Sequence, residues 1–241
     1  MDDRYSAQTV LDQIGPEGQK KLARASVVVV GAGGLGCPVL TYLVAAGVGR
    51  VGMIDADTVS LGNLNRQFLH SEADIGRPKV VSAREKLTAI NSSVEIVAHE
   101  EFVTDDNAET LLAGYDVVLG AVDSLETRSV INRAAAALGL PYIDGGVNGF
   151  CGSVIFSLPK KTPCLNCVFP NGGTKRKAAG VVGATAGVVG SLQANVALMW
   201  LLDRRNPIEG KLLFYDGLSM SVDVIDIKRD VNCPICGGGA I

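Results

Sequence analysis

An α/β fold built on a doubly wound, mostly parallel sheet and extended by antiparallel strands is predicted by three features of the sequence. β-Branched runs alternate with helical segments as far as Asp144, a glycine-rich turn directly follows the first such run, and the alternation stops after Gly149. The first ~25 residues are polar and read as an N-terminal helical arm, Ala7–Ile14 and then Gly18–Arg24. Ser26–Val30 is the first strand, and Leu35–Ala46 follows as a helix of small and apolar residues. Val51–Asp55 is the second strand. Lys79–Ile90 has helical spacing, with Val80, Ala83, Leu87 and Ile90 on one side. Val94–Ala98 is a third strand, Asn107–Ala113 a short helix capped by Asp105, and Asp116–Gly120 a fourth strand. Leu125–Leu138 reads as a helix and Tyr142–Asp144 as a short fifth strand. Beyond Gly149, Ser153–Ser157 is a strand, Lys160–Val181 has little regular pattern, and Gly187–Leu202 is a helix. Lys211–Tyr215 and Ser221–Ile227 then close a meander. The organisation is the arm, 1–25, and a single domain, 26–241, whose halves are 26–149 and 150–241.

Composition narrows the function. The chain has 241 residues, 47% hydrophobic and 20% charged, which is ample for a folded core. With 22 Lys and Arg against 25 Asp and Glu the net charge is −3, which argues against broad nucleic-acid binding. Aromatic residues, at 5%, are too few for a base-stacking surface. The start, Met1-Asp2-Asp3-Arg4, is acidic and Val27–Val30 is far too short to span a membrane, so a cytoplasmic protein without membrane contacts is expected. In that compartment the six cysteines should be reduced, and close pairs read as metal ligands rather than disulfides.

Gly31-Ala32-Gly33-Gly34-Leu35-Gly36 satisfies G-x-G-x-x-G between a strand and a helix, the arrangement of a Rossmann-like nucleotide site. Side chains there would hold phosphates away from the backbone amides and the positive helix end. Asp55, closing the next strand, is in position for ribose hydroxyls. A dehydrogenase using NAD is the obvious reading, but the residues after Asp55 disfavour it. Asp55, Asp57, Asn63, Arg66, Gln67, Arg77 and Lys79 gather acids, amides and cations close together, more positive charge than a dinucleotide demands and as much as a triphosphate needs. Taken alone, Arg66 and Lys79 would read as ordinary solvated charges.

Cys164-Leu165-Asn166-Cys167 and Cys233-Pro234-Ile235-Cys236 are both C-x-x-C. Two thiolates at that spacing bite one metal, and two pairs complete a closed tetrahedral shell. The predicted ion is a structural zinc stapling two distant segments, without an open position for catalysis. A redox dithiol or free thiols are the alternatives, and the presence of two pairs argues against both.

Together these residues resemble the MoeB/ThiF/HesA family, the bacterial relatives of ubiquitin-activating enzymes. The likeness runs from Gln19 to Cys236. It rests on Gly31–Gly36 with Cys37-Pro38, on Ala45–Gly49, and on Asp55-x-Asp57-x-Val59 followed by Asn63–Gln67. It continues through Gly76-x-x-Lys79, Asp123 with Arg128 and Asn132, Gly180-Val181, Gly190–Gln193 and the cysteine pairs. The resemblance implies ATP-dependent adenylation of the C-terminal glycine of a small ubiquitin-like sulfur-carrier protein with a Gly-Gly end. It also implies a homodimer, with a sulfurtransferase or cysteine desulfurase as a further partner. Carried over by motif, Gly33 and Gly34 touch the nucleotide, Asp55 the ribose, and Asn63, Arg66 and Lys79 the phosphates. Gln67 supports the pocket, Asp57 belongs to the same cofactor-binding set, and Asp123 holds magnesium. Arg66, Lys79 and Asp123 are the catalytic candidates; for Asp123 the alternative is an N-cap of the following helix.

Such chemistry needs no general base, because a carboxylate nucleophile is already ionised; positioning and charge neutralisation must carry it. The two histidines, His70 and His99, form no hydrolase triad, and His70 is expected to be structural. Cys37 reads as packed core and Cys151 as buried. The chain departs from the family pattern at three places, of which Gly62, where the family usually has serine, is expected to matter least. Relatives often carry a cysteine a few residues before Gly180-Val181, whereas 173–179 has none, which favours adenylation without a covalent acyl-enzyme. Ala7 stands where relatives place an arginine that reaches the neighbouring subunit's ATP. A slower enzyme is expected, or compensation by Arg4 or by a lysine or arginine of the Lys175–Lys177 stretch, which is either a solvated tip or a segment that orders over the carrier tail. A nucleotide-binding scaffold with reduced turnover is the second reading.

Overall fold

The computed structural model describes residues 3–170, 180–204 and 206–237. Eight strands form one sheet: β1 Ser26–Val30, β2 Arg50–Ile54, β3 Glu95–His99, β4 Val117–Gly120, β5 Tyr142–Asn148, β6 Cys151–Ser157, β7 Lys211–Asp216 and β8 Ser221–Asp226. Their order is β3-β2-β1-β4-β5-β6-β7-β8. The first five run parallel and the last three antiparallel, as the predicted change of pattern after Gly149 requires. The helices are α1 Ser6–Thr9, α2 Gly15–Arg24, α3 Gly36–Ala45, α4 Lys79–Ile90, α5 Ala108–Leu112, α6 Leu125–Ala137, α7 Leu165–Val168 and α8 Gly183–Leu201.

The period of two along β1 separates the two cores. Val27 and Val29 join a cluster with residues of α3, α4 and α8, whereas Val28 and Val30 join one with α5 and α6. Both faces of the strand are therefore buried, which is why it reads as an unbroken valine run. By length and composition α8 could cross a membrane, but it covers the sheet instead. The Gln193 amide, fully buried at its middle, donates to Gly120 O at 2.8 Å and Ile143 O at 3.3 Å.

Register brings the parallel strands level at their C-terminal ends, with His99 opposite Ile54, Ile54 opposite Val30, Val30 opposite Gly120, and Gly120 opposite Asp144. The order reverses direction between β1 and β4, the switch point at which open α/β sheets bind ligands. The segments leaving Val30, Ile54 and Gly120 therefore share one rim.

Several predicted boundaries move. The helix expected over Ala7–Ile14 is only α1, and the chain turns before α2. Asn107, not Asp105, stands at the N-cap of α5; Asp105 pairs instead with Arg133 at 2.6 Å. β5 and β6 extend to a hairpin at Asn148–Cys151, because each supplies the other's ladder partners beyond the parallel sheet. α7 interrupts the stretch expected to be irregular. α8 begins four residues before Gly187.

The arm is held at the end of the molecule opposite the rim. Tyr5 packs on Gly47 and its hydroxyl accepts from Asn91 Nδ2 at 2.8 Å. Arg4 Nη1 donates to Ile90 O at 2.7 Å, at the end of α4 remote from Lys79, so Arg4 does not reach the rim of its own chain.

Asp144 anchors the interior below the rim. It accepts from Arg128 Nε at 2.8 Å and from the Tyr142 hydroxyl at 2.8 Å, and Arg128 Nη2 makes a further charged bond. Asp144 is 1% and Arg128 7% exposed. Burial opposes ionisation of the guanidinium, but the Asp144 carboxylate holds its pKa above the ordinary value. Asp144→Asn leaves a buried cation uncompensated and is expected to cost about 3–5 kcal/mol. A lowered urea midpoint with unchanged slope is the expected reading; an unchanged midpoint contradicts it.

Candidate active site

The glycine loop leaves β1 at Gly31, whose φ of +104° and whose 2.5 Å distance from a Cβ position to Ala121 O both exclude a side chain. At Gly36 a Cβ would lie 1.9 Å from Gly31 O, so α3 starts directly against the strand it follows. Ala32 is held from both sides. Its N–H donates to Asp55 Oδ2 at 2.8 Å and its carbonyl is met by His70 Nε2 at 3.1 Å. Asp55 Oδ1 accepts from the Asp57 N–H at 2.9 Å. Both carboxylate oxygens are thus oriented by the backbone and retain lone pairs for further donors.

The segment after β2 folds back on itself. Thr58 pairs with Pro78, and the Lys79 N–H donates to Asp57 O at 2.9 Å. This places Lys79, 5% exposed at the start of α4, with its Nζ 2.7 Å from Asp57 Oδ2. Between these strands of backbone, Asn63 O accepts the N–H groups of Arg66 and Gln67 at 3.1 and 3.0 Å. That turn lays both side chains on the glycine loop. Arg66 Cγ lies 3.4 Å from the Cβ position of Gly34, and Gln67 Nε2 3.4 Å from that of Gly33. Arg66 Nη1 donates to Gly62 O and Asn65 Oδ1, both at 2.9 Å, and meets no carboxylate among the described residues. Gln67 is 4% exposed, yet its Oε1 has no partner. Asn63 Oδ1 accepts from the Ser60 hydroxyl at 2.9 Å.

Asp123 follows β4 by three residues, two after the Ala121 that abuts Gly31. It is exposed and has no partner among the described residues. The N-cap of α6 is Ser124, whose hydroxyl accepts from Thr127 N at 3.3 Å, so Asp123 is not occupied by capping.

His70 is a buttress. Its Nδ1 faces Ser82 Oγ at 3.0 Å, which in turn accepts from Lys86 Nζ at 2.9 Å. Burial, aided by Lys86 and Lys79, pushes its pKa below the ordinary value despite the bond to Ala32. Folded protein therefore binds this proton less readily than unfolded chain, and stability falls as pH drops from about 6.5 towards the folded value. His70→Gln is expected to flatten that slope in urea titrations between pH 5 and 7, and an unaltered slope contradicts the assignment. Beside it, Asp74 is buried too, but bonds from Lys86 and Ser71 hold its carboxyl well below the usual range.

The four paired cysteines converge although 69 residues separate the members of each contact, Cys164 Sγ to Cys233 Sγ at 3.7 Å and Cys167 Sγ to Cys236 Sγ at 3.4 Å. All four sulfurs lie within 4.8 Å of one another. A tetrahedral thiolate shell with metal–sulfur bonds of about 2.3 Å has edges of about 3.8 Å, so the donor set can hold a metal ion. Burial raises the Cys164 and Cys167 thiols. At Cys233 burial is outweighed by hydrogen bonds from the Cys236 and Ile235 amides and from Asn166, which bring it down to about 6. Cys37 is core, as expected. Cys151 is only partly buried, contrary to expectation, because it sits on the hairpin tip with its Sγ 3.9 Å from Asp216 Oδ1.

Sequence reasoning missed the first turn of α8. A Cβ at Gly183 would lie 2.6 Å from Asn65 O, and Ala186 Cβ is 3.5 Å from the Cβ position of Gly34. The small residues of 183–187 are the signal, but they carry no periodicity. The absence of cysteine at 173–179 and the Lys175–Lys177 stretch lie outside the described residues.

Comparison with known proteins identifies the family. The sequence profile of the ThiF family matches residues 5–235. The chain is 46% identical to a sulfur carrier protein adenylyltransferase of Thermus thermophilus, covering 98% of this chain and 90% of the relative. It is 39% identical to a SAMP-activating enzyme E1 of Haloferax volcanii, covering 99% and 90%. Against an adenylyltransferase and sulfurtransferase MOCS3 of Culex quinquefasciatus it is 42% identical and spans 55% of that longer protein. A crystal structure of E. coli MccB superposes with a TM-score of 0.88 over 98% of this chain and 74% of MccB, at 21% identity, a likeness of fold.

Proposed function

The chain belongs to the ThiF family, and on that premise we propose that it adenylates the C-terminal glycine of a ubiquitin-like sulfur-carrier protein, using ATP and releasing pyrophosphate. The observation that carries this reading is Arg66, a cation without a carboxylate partner among the described residues, laid on the glycine loop of the rim where Asp123 is exposed and Lys79 is buried against Asp57.

The chemistry asks little of acid–base groups. The carrier's terminal carboxylate attacks the α-phosphorus, a P–O bond forms, and the bond to the β-phosphate oxygen breaks as pyrophosphate leaves with its electron pair. The obstacle is the mutual repulsion of two anions, which oriented cations relieve. Gly33 and Gly34 allow the phosphates to approach the backbone, and Asp55 receives the ribose hydroxyls with oxygens already fixed by the Ala32 and Asp57 amides. Arg66 and Asn63 neutralise and orient the phosphates. Lys79 releases Asp57 to do the same, and the unpartnered Gln67 Oε1 finds its donor in the loaded pocket. Asp123, free of capping duty, holds magnesium, which supplies further charge neutralisation at the phosphates.

Residues 26–149 form the ATP-binding half, and 150–241 the half that meets the carrier and carries zinc on Cys164, Cys167, Cys233 and Cys236. The chain works as a cytoplasmic homodimer, and a sulfurtransferase or cysteine desulfurase delivers sulfur after adenylation. The second reading, a nucleotide-binding scaffold, draws on Ala7 and on the lack of a cysteine at 173–179. Exchange of labelled pyrophosphate into ATP separates the two. Exchange that depends on a Gly-Gly carrier is expected; ATP binding without exchange supports the scaffold and overturns the proposal.

A further inference from the structure

Asn132 is 2% exposed on α6, and neither its burial nor its chemistry is used by the adenylation site. Its Oδ1 accepts the Leu165 N–H at 3.2 Å, across the contact between α6 and α7. Its Nδ2 is buried with no hydrogen-bond partner. A buried amide donor left unsatisfied costs about 1–3 kcal/mol, so its retention calls for an acceptor. The residue next to Leu165 is Cys164, so the bond to Leu165 holds this amide beside one of the four clustered cysteines. A neutral thiol is a poor acceptor, whereas a metal-bound thiolate is a strong one. Another sulfur of the cluster already receives a side-chain amide: Asn166 Nδ2 donates to Cys233 Sγ at 3.4 Å. One turn before Asn132 on the same helix, Arg128 lies 5.8 Å from the ring of Phe169, where α7 ends. The helix that starts beside Asp123 therefore grips the segment carrying half of the metal ligands at two successive turns.

We propose that Asn132 is an outer-sphere ligand of the four-cysteine metal centre, donating its Nδ2–H to the Cys164 thiolate while its Oδ1 holds the Leu165 N–H, and so fixes that centre to the helix that begins at Asp123. Four thiolates on one divalent ion carry a net charge of −2, and amide donors to the sulfurs offset it. The pair Asn132–Cys164 thus does for one C-x-x-C what Asn166–Cys233 does for the other. This rests on the metal reading of the cysteines and fails separately from it.

Two measurements on the full chain test it. Zinc content and affinity are measured first on wild type by competition with a chromogenic chelator, and one ion per chain is expected. Asn132→Leu, which removes both bonds at similar volume, and Asn132→Asp, which keeps the acceptor and loses the donor, are each expected to bind zinc about 10–100-fold more weakly. With cadmium in its NMR-active isotope, the Asn132 side-chain amide proton is expected to show scalar coupling to the metal across the N–H···S bond. Asn166 serves as the internal reference for that coupling. Metal-free wild type overturns the metal reading together with the inference. A loaded wild type whose Asn132 amide shows no coupling while Asn166 does, or folded variants of unchanged affinity, overturns the inference alone.

Discussion

Arg66→Ala is expected to lower carrier-dependent pyrophosphate exchange by about 10²–10³-fold, with the fold intact. Two features set the size. The guanidinium makes only local bonds to Gly62 O and Asn65 Oδ1, so no carboxylate among the described residues neutralises its charge, and its stem is fixed over Gly34. The transition state gains from a cation already aimed at the phosphates and needs no reorganisation to use it. Those same local, half-exposed bonds contribute little to folding, so thermal unfolding should shift by no more than an ordinary surface change. Arg66→Lys keeps the charge and loses the planar fork, and should fall between alanine and wild type. Exchange within a factor of about ten of wild type in the alanine variant contradicts the placement of the phosphates on this loop.

Asp123→Ala is expected to reduce exchange by a comparable factor of about 10²–10³. The reason is different, and so is the signature. Because Ser124 caps α6, removing Asp123 leaves the helix start in place and little stability is lost. The loss should appear as a raised magnesium requirement, partly recovered at high magnesium, whereas excess magnesium should not recover the Arg66 variant. Asp123→Asn, which keeps shape and loses charge, should behave like the alanine variant. Unchanged activity with an unchanged magnesium dependence contradicts the assignment.

Much of this is legible in particular residues. The valine run of β1 announces a strand buried on both faces, and Gly31–Gly36 announces the turn after it, because only glycine tolerates the approaches to Ala121 O and Gly31 O. The cysteine pairs carry their spacing openly, and the metal-ready cluster they form crosses 69 residues without any other signal being needed. The hidden features depend on groups meeting in space. Nothing in the sequence couples Arg128 to Asp144, since one lies on a helix and the other on the following strand. Lys79 is expected at the phosphates, and nothing in the sequence shows that it is buried against Asp57. The first turn of α8 escapes detection because Gly183 and Ala184 have no side chains large enough to reveal a face, and Asp105 imitates a cap because two acids precede Asn107. Cys151 is misjudged because a hairpin tip and a buried strand both read as small residues around glycine.

Adenylation here requires that a carrier carboxylate oxygen, not water and not another phosphate, attack the α-phosphorus in this pocket. A Gly-Gly carrier whose terminal carboxylate is enriched in the heavy oxygen isotope tests it in a single turnover, the adenylate being cleaved afterwards by a thiol or amine at its carbonyl carbon. Attack at the α-phosphorus carries one labelled oxygen into AMP, and that is the expected result. Label in inorganic phosphate with ADP as the co-product, or AMP with no label, contradicts it.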